Sequence, residues 1–308
     1  MNYIYFFLLA FFWGTAFVGV KYNVEVMDPY VSAFLRVFIG FIFFTSCFFI
    51  TKKSVFLPRK EAWRPWLAGF LIMGLPFVFL YWGQQFIPPG TTGIFNGTVP
   101  LWVFVIAALT LKGEDSFTWR KAAGVILGFV GLLLVLSPAI AKFRAGGNEK
   151  LILYGSISVL LMAVCYAGGN VMTRYLINKK MTLEQNIFHQ HLFSMVFLFF
   201  LCILSGAKLP VMAEVLQPKV IISILYVAFF SSAIALLLLF KLLKEWGALR
   251  ASVVTYFVPV IALGSDFVLN GRLPNAYEAC GVVVIVISLV LIQFDKTNLI
   301  IKNNPQKS

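Results

Sequence analysis

Ten stretches of this chain stay apolar for about the length of a membrane crossing, at roughly 3–20, 29–50, 66–86, 91–111, 119–137, 152–172, 187–206, 219–240, 248–269 and 277–294. A helix of about 20 apolar residues crosses about 30 Å of hydrocarbon. Inside hydrocarbon, backbone N–H and C=O groups have no water to pair with, which leaves only helices or closed barrels. The runs are too long and too unalternated for barrel strands. The expected fold is therefore an all-α membrane protein of ten transmembrane helices. Composition agrees with this. With 60% hydrophobic residues, 12% charged and a mean hydropathy of +0.90, no polar shell is available for a soluble core, since soluble domains are about a quarter charged. The 308 residues go into spans and short connections, without a sizeable extramembrane domain. The first run begins at Tyr3, with no Lys or Arg before it and no small-residue cleavage site, so it reads as a retained span and not as a signal peptide.

The net charge of +13 does not point to nucleic acid. The basic residues cluster at the ends of apolar runs, as orientation signals do, and no RRM, zinc-finger or helix-turn-helix pattern accompanies them. Counting connections, 17 Lys and Arg fall on the side of the even-numbered loops and the C-terminal tail, against 7 on the other side, with Arg36 inside a span. That excess predicts both termini in the cytoplasm. Cys47, Cys165, Cys202 and Cys280 lie in separate runs, spaced neither as metal ligands nor as a disulfide framework.

The chain repeats itself. Leu111-Lys112-Gly113-Glu114 … Ala123-Gly124-Val125 parallels Leu269-Asn270-Gly271-Arg272 … Cys280-Gly281-Val282 at an offset of about 157 residues. Pro100 falls opposite Pro259 at 159, and Trp13-Gly14-Thr15 opposite Tyr166-Ala167-Gly168 at 153. Five spans per copy force the second copy to enter the membrane upside down, a recurring plan of secondary transporters. The division is 1–145 and 146–298, hinged at Arg144-Ala145-Gly146-Gly147-Asn148-Glu149-Lys150, with a cytoplasmic tail at 299–308.

With these features the sequence resembles the drug/metabolite transporter superfamily and, within it, the EamA family. The resemblance covers nearly the whole chain. It rests on Trp13-Gly14-Thr15-Ala16-Phe17, on Pro29 … Leu35-Arg36, and on Pro100 followed by Gly113-Glu114 and by Gly124 … Gly128 … Gly131. It implies ten helices, a central cavity between the halves, alternating access without ATP, and residence in a bacterial inner membrane. Members of the family export amino acids or carry nucleosides, nucleotide-linked sugars or S-adenosylmethionine. The second half departs from the pattern: Arg272 stands where the family often has an acidic residue.

An ionisable group inside a span costs about 2.5–3.5 kcal/mol on insertion scales, so each one is a candidate for function. There are four: Arg36, His189, His191 and Asp266. Arg36 can hold a carboxylate or phosphate through its planar fork; alternatively it clamps backbone carbonyls at a helix break. His189 matches Arg36 at the offset of 153, so the two would suit one site approached from either face; a histidine satisfied at a helix end is the plainer alternative. His191 points about 200° away from His189 on a helix, so the two do not form a metal site. His191 and Asp266 are candidates for proton coupling, Asp266 otherwise being an interfacial residue. Uncharged candidates for the substrate site are Trp13, Tyr81, Trp82, Gln85, Asn96, Thr98, Tyr166, Asn170, Ser232 and Tyr256. Prolines near them free backbone carbonyls for polar ligands, and aromatic faces bind cations and planar groups. Most aromatic residues in so aromatic a chain nevertheless serve packing or the interfacial belts. Gly124 and Gly128 form a GxxxG pattern, read as packing within the bundle.

Three functions compete. The first is a carrier of a small polar metabolite, in particular an exporter of amino acids or related zwitterions, acting as a monomer in lipid without cofactor, metal or nucleic acid. Its motive is one deep cation among aromatics and amides. The second is an intramembrane enzyme, which would need paired aspartates, a His-Glu-x-x-His zinc motif or an activated serine with a base; the spans hold one aspartate and no such zinc motif, and there is no P-loop. The third is a lipid flippase-type carrier, which would use the same helices with a lateral opening.

Overall fold

The computed structural model describes residues 2–110, 118–137, 149–179, 181–261, 273 and 275–293. Among these residues every regular element is helical. The main helices are α1 (Asn2–Val26), α2 (Pro29–Ile50), α3 (Arg59–Gly83), α4 (Pro89–Thr110), α5 (Trp119–Val135), α6 (Glu149–Asn178), α7 (Leu183–Leu204), α8 (Pro218–Trp246), α9 (Ala248–Ile261) and α10 (Ala276–Gln293). Eight of them are long and apolar enough to cross a membrane; α5 and the described part of α9 are shorter.

The distribution of side chains is that of a protein in lipid. Large apolar groups such as Phe7, Ile42, Leu109, Ile126, Phe200 and Val286 face outward, while Asn23, Arg36, Gln84, Asn170, Gln190 and His191 are buried. A soluble core would reverse this arrangement, and helices apolar on all sides belong in a membrane. The protein is thus a multi-pass membrane protein.

Several helices outrun the apolar runs that announce them. α3 starts at Arg59 and not near 66, and α6 continues to Asn178. Charged residues still favour helix beyond the hydrocarbon, and these extensions keep packing on their neighbours, α3 on α7 and α6. α7 opens at Leu183 because Thr182 and Gln185 form a reciprocal capping box. Lys21 and Arg174, which read as loop charges, lie within α1 and α6. Leu111–Glu114, Arg144–Asn148, Asp266 and Leu269–Arg272 lie outside the described residues.

Two helices carry a π-helical turn: Phe70–Gly74 in α3 and Phe229–Ile234 in α8. Such turns hold one extra residue and break the i→i−4 ladder, releasing a carbonyl for other partners. α5 and α10 pack face to face through glycine. A Cβ on Gly128 would lie 2.3 Å from Tyr256 Cε2 and 2.5 Å from Ser288 Oγ, and one on Gly281 would lie 2.7 Å from the Gly131 carbonyl. The Gly124–Gly128 pattern therefore closes the bundle internally.

Candidate functional site

α1, α3, α6 and α8 surround a small cavity of about 10 Å³, room for about one water, in the middle of the bundle, lined by Trp13, Met73, Phe77, Tyr166, Ser231, Ser232 and Leu236. Six of the seven lining residues fall into pairs. Trp13 and Tyr166 stand 153 residues apart and meet edge to face, with ring centroids 5.7 Å apart. Met73 and Ser232, and Phe77 and Leu236, stand 159 apart. The same offset of 159 separates the starts of the two π-helical turns, Phe70 and Phe229.

Arg36 of α2 reaches the cavity wall at the α8 turn. Its Nε donates to Ser232 Oγ at 2.5 Å, and Nη2 donates to the Ser231 carbonyl at 3.3 Å and to Ser231 Oγ at 3.2 Å. The carbonyl is available because of the π-helical turn, and Ser232 Oγ donates back to the Val227 carbonyl, five residues earlier. The guanidinium carbon sits 4.1 Å from the centre of the Phe77 ring, a cation–π contact. Nη1 makes no hydrogen bond among the described residues. No carboxylate pairs with Arg36 either: the ion pair seen among the described residues joins Lys53 and Glu184 at 3.5 Å. Arg36 is only 5% exposed, so a cation that no carboxylate of the described residues neutralises is buried beside the cavity. The Tyr81 hydroxyl is turned toward Arg36 and Asn23 but makes no hydrogen bond of ordinary geometry.

Of the residues singled out from sequence, the structure brings Arg36, Trp13, Tyr166 and Ser232 together, with Tyr81 beside them. Others do not line the cavity. Tyr256 spends its hydroxyl on the Val125 carbonyl at 2.8 Å, tying α9 to α5. Thr98 bonds the Phe95 carbonyl and accepts from Trp102 Nε1, both on its own helix. Asn96 is buried in α4. Trp82 packs against Phe86, and Gln85 Nε2 donates to the Trp82 carbonyl at the end of α3. Asn170 is buried, its side-chain oxygen without a partner, near the Thr173–Gln190–Asn186 hydrogen-bond chain between α6 and α7.

Neither histidine hydrogen-bonds Arg36. His189 Nε2 bonds the Val55 carbonyl at 3.1 Å, and its Nδ1 accepts from Trp66 Nε1 at 3.3 Å. It staples the α2–α3 connection and does not complete a paired site with Arg36. His191 Nδ1 bonds the Ile187 carbonyl one turn back, and its ring packs on Phe44 and toward Gly40. Met73, Phe77, Ser231 and Leu236 complete the wall beside the residues named from sequence. Their signal was present in the offset of 159, which aligns the α3 and α8 walls.

The comparisons with known proteins agree with this architecture. The model of the EamA-like transporter family matches residues 1–137 and again residues 153–294. The uncharacterized transporter YoaV of Bacillus subtilis is 25% identical over 82% of this chain and 82% of its own. A probable amino-acid metabolite efflux pump of Salmonella typhimurium is 22% identical over 92% of each chain. A WAT1-related chloroplastic protein of Arabidopsis thaliana is 26% identical over 94% of this chain and 68% of its own. A solved crystal structure shares the fold with a TM-score of 0.73 at 16% identity, covering 94% of this chain and 96% of its own. Two family matches that between them account for both halves leave one assignment: the chain is a membrane transporter and belongs to the EamA-like transporter family.

Proposed function

We propose that this protein exports amino acids or related zwitterionic metabolites across a bacterial inner membrane, as a monomer working by alternating access. In this reading ten helices form two inverted five-helix repeats, 1–145 and 146–298, with both termini and the tail 299–308 in the cytoplasm. The paired cavity lining supports the duplication, because residues on an internal two-fold axis meet their own counterparts, as Trp13 and Tyr166 do. The observation that carries the cargo class is Arg36. Among the described residues the buried guanidinium has an unused Nη1 and no carboxylate partner, which leaves room for one anionic partner. A substrate carboxylate fills that place with charge-assisted bonds. The aromatic walls of Trp13, Tyr166 and Phe77 then receive the ammonium end or an apolar side chain. The name of the Salmonella relative points the same way.

The test is counterflow in proteoliposomes with a panel of labelled amino acids, each alongside its carboxamide or methyl ester. Free amino acids should be carried and their carboxyl-blocked forms should not. Equal flux of a blocked and an unblocked member would sink the carboxylate assignment.

A further inference from the structure

Two lysine- or arginine-to-carbonyl contacts outside the cavity repeat one another. At the C-terminal end of α3, Lys21 Nζ of α1 donates to the carbonyls of Gln84 at 3.0 Å and Gln85 at 3.3 Å. At the C-terminal end of α8, Arg174 Nη1 of α6 donates to the carbonyls of Leu243 at 2.8 Å and Lys244 at 2.7 Å. Lys21 and Arg174 are 153 residues apart, the offset that pairs Trp13 with Tyr166; Gln84 and Leu243, and Gln85 and Lys244, are 159 apart, the offset that pairs the cavity walls. Each contact is thus the image of the other. Both put a cation where helix chemistry rewards it, on carbonyls at the helix end and so at the negative end of the helix dipole; the Leu243 carbonyl also accepts from the Gly247 N–H at 3.2 Å.

The two contacts lie at opposite ends of the bundle. α1 runs antiparallel to α8: Tyr22 stacks under Lys219 near the start of α8, with the ammonium 3.6 Å from the ring centre, while Tyr3 meets Trp246 at the end of α8, with centroids 5.0 Å apart. The stretch of α1 from Tyr3 to Lys21 covers about 27 Å, close to the hydrocarbon thickness. The cavity, with Trp13 midway along that stretch, lies between the two. The same four helices that wall the cavity are the ones joined: α1 to α3 at one mouth, α6 to α8 at the other. The mouth on the Lys21 side is drawn in further by a hydrogen bond from Ser223 to Asn23.

We propose that Lys21 and Arg174 are twin latches, one at each membrane face, which release in alternation to open the two mouths of the transport path, and that with both engaged this structure is the intermediate closed at both ends. The proposal rests on the alternating-access reading above, but not on the identity of the cargo. Opening a mouth separates α1 from α3, or α6 from α8, and so exposes helix-end carbonyls to water, which can satisfy them; the latch sets how often that happens.

The test is accessibility of the cavity wall in the full chain. Met73→Cys is placed in a background with Cys47, Cys165, Cys202 and Cys280 replaced by Ala. It is labelled with a charged, membrane-impermeant maleimide in right-side-out and in inverted vesicles. Lys21→Met should raise the labelling rate about tenfold from the face holding the end of α3 and leave the other face unchanged. Arg174→Met should do the same from the opposite face alone. A tenfold change corresponds to about 1.4 kcal/mol in the closing equilibrium. Wild-type rates in both variants, or a rise from the same face in both, would overturn the proposal. If a methionine variant does not fold, Lys21→Gln and Arg174→Gln, which keep a donor without the charge, carry the comparison: a smaller rise with the same face selectivity supports the latches, and unchanged rates refute them. Labelling needs no substrate. Face-selective labelling in a protein that carries no amino acid would therefore dismiss the cargo while leaving the latches standing.

Discussion

Replacing Arg36 by Met separates what the guanidinium does for the fold from what it does for transport. The change removes two firm hydrogen bonds to the α8 turn, counting the pair of long bonds from Nη2 as one. A bond involving a charged group contributes about 1.5–3 kcal/mol, and the Phe77 contact about 1 kcal/mol more. Against this, the variant no longer buries a cation in the membrane, a relief of about 2.5–3.5 kcal/mol. The terms leave a net destabilisation of about 2 kcal/mol. That is less than the roughly 3–5 kcal/mol for breaking a buried ion pair, because no carboxylate is stranded. Ser232 also keeps its bond to the Val227 carbonyl. Arg36→Met should therefore stay folded and monodisperse in detergent, with a modest fall in Tm. Transport should drop far more. Loss of about 2 kcal/mol or more of carboxylate recognition lowers kcat/KM at least about 30-fold. Saturating substrate, at about 100 times Kd, stabilises the wild type by about 2.7 kcal/mol, and this ligand-induced thermal shift should vanish in the variant. A variant that unfolds on solubilisation, or one that keeps both flux and thermal shift, refutes the reasoning: the first makes Arg36 a structural clamp, the second a bystander.

Other substitutions test the frame around the site. Gly128→Ala drives a methyl into Tyr256 and Ser288, and overpacking of this kind costs about 1–3 kcal/mol; thermal unfolding in detergent should show a clear fall in Tm, and an unchanged Tm would mean that α5 and α10 can move apart freely. Thr182→Ala removes one arm of the α7 capping box and should cost about 1 kcal/mol, measurable as earlier unfolding and as faster hydrogen exchange in the first turn of α7. His191→Leu removes a buried ring whose Nε2 has no partner; exchanging such a group for an apolar one is close to neutral, so Tm should hold within the equivalent of about 1 kcal/mol. Loss of pH-gradient-driven flux with an intact Tm in that variant would show His191 carrying the proton, and unchanged flux would remove it from the coupling path.

Much of the bundle was legible in the sequence because hydrocarbon imposes a single rule on the backbone, and runs of apolar residues report it directly. The candidate site was half legible. Arg36 stood out because a cation in a span is costly, and Trp13 and Tyr166 stood out through their matched neighbourhoods. The α8 wall was harder to see. Ser232 stands among the polar candidates, but nothing in the sequence announces the π-helical turn that brings the Ser231 carbonyl to Arg36. Lys21 and Arg174 were hidden for a different reason. A basic residue near the end of a span is the usual orientation signal, so counting it there removed any reason to ask what its nitrogen touches. His189 misled in the opposite direction: it fell at the right offset from Arg36, but the ring is held by Val55 and Trp66.

The π-helical turns bear on ancestry. Each adds one residue to a helix without shifting the register on either side, and they recur 159 residues apart. If the two halves descend from one five-helix unit, the extra residue was already there before that unit was copied. In α3 the turn reads Phe70-Leu71-Ile72-Met73-Gly74, with no hydroxyl, and α7, the counterpart of α2, holds no arginine. The irregular turn is then the shared inheritance, and the charge that uses it was added later, to one side of a structure that had already given up its symmetry there.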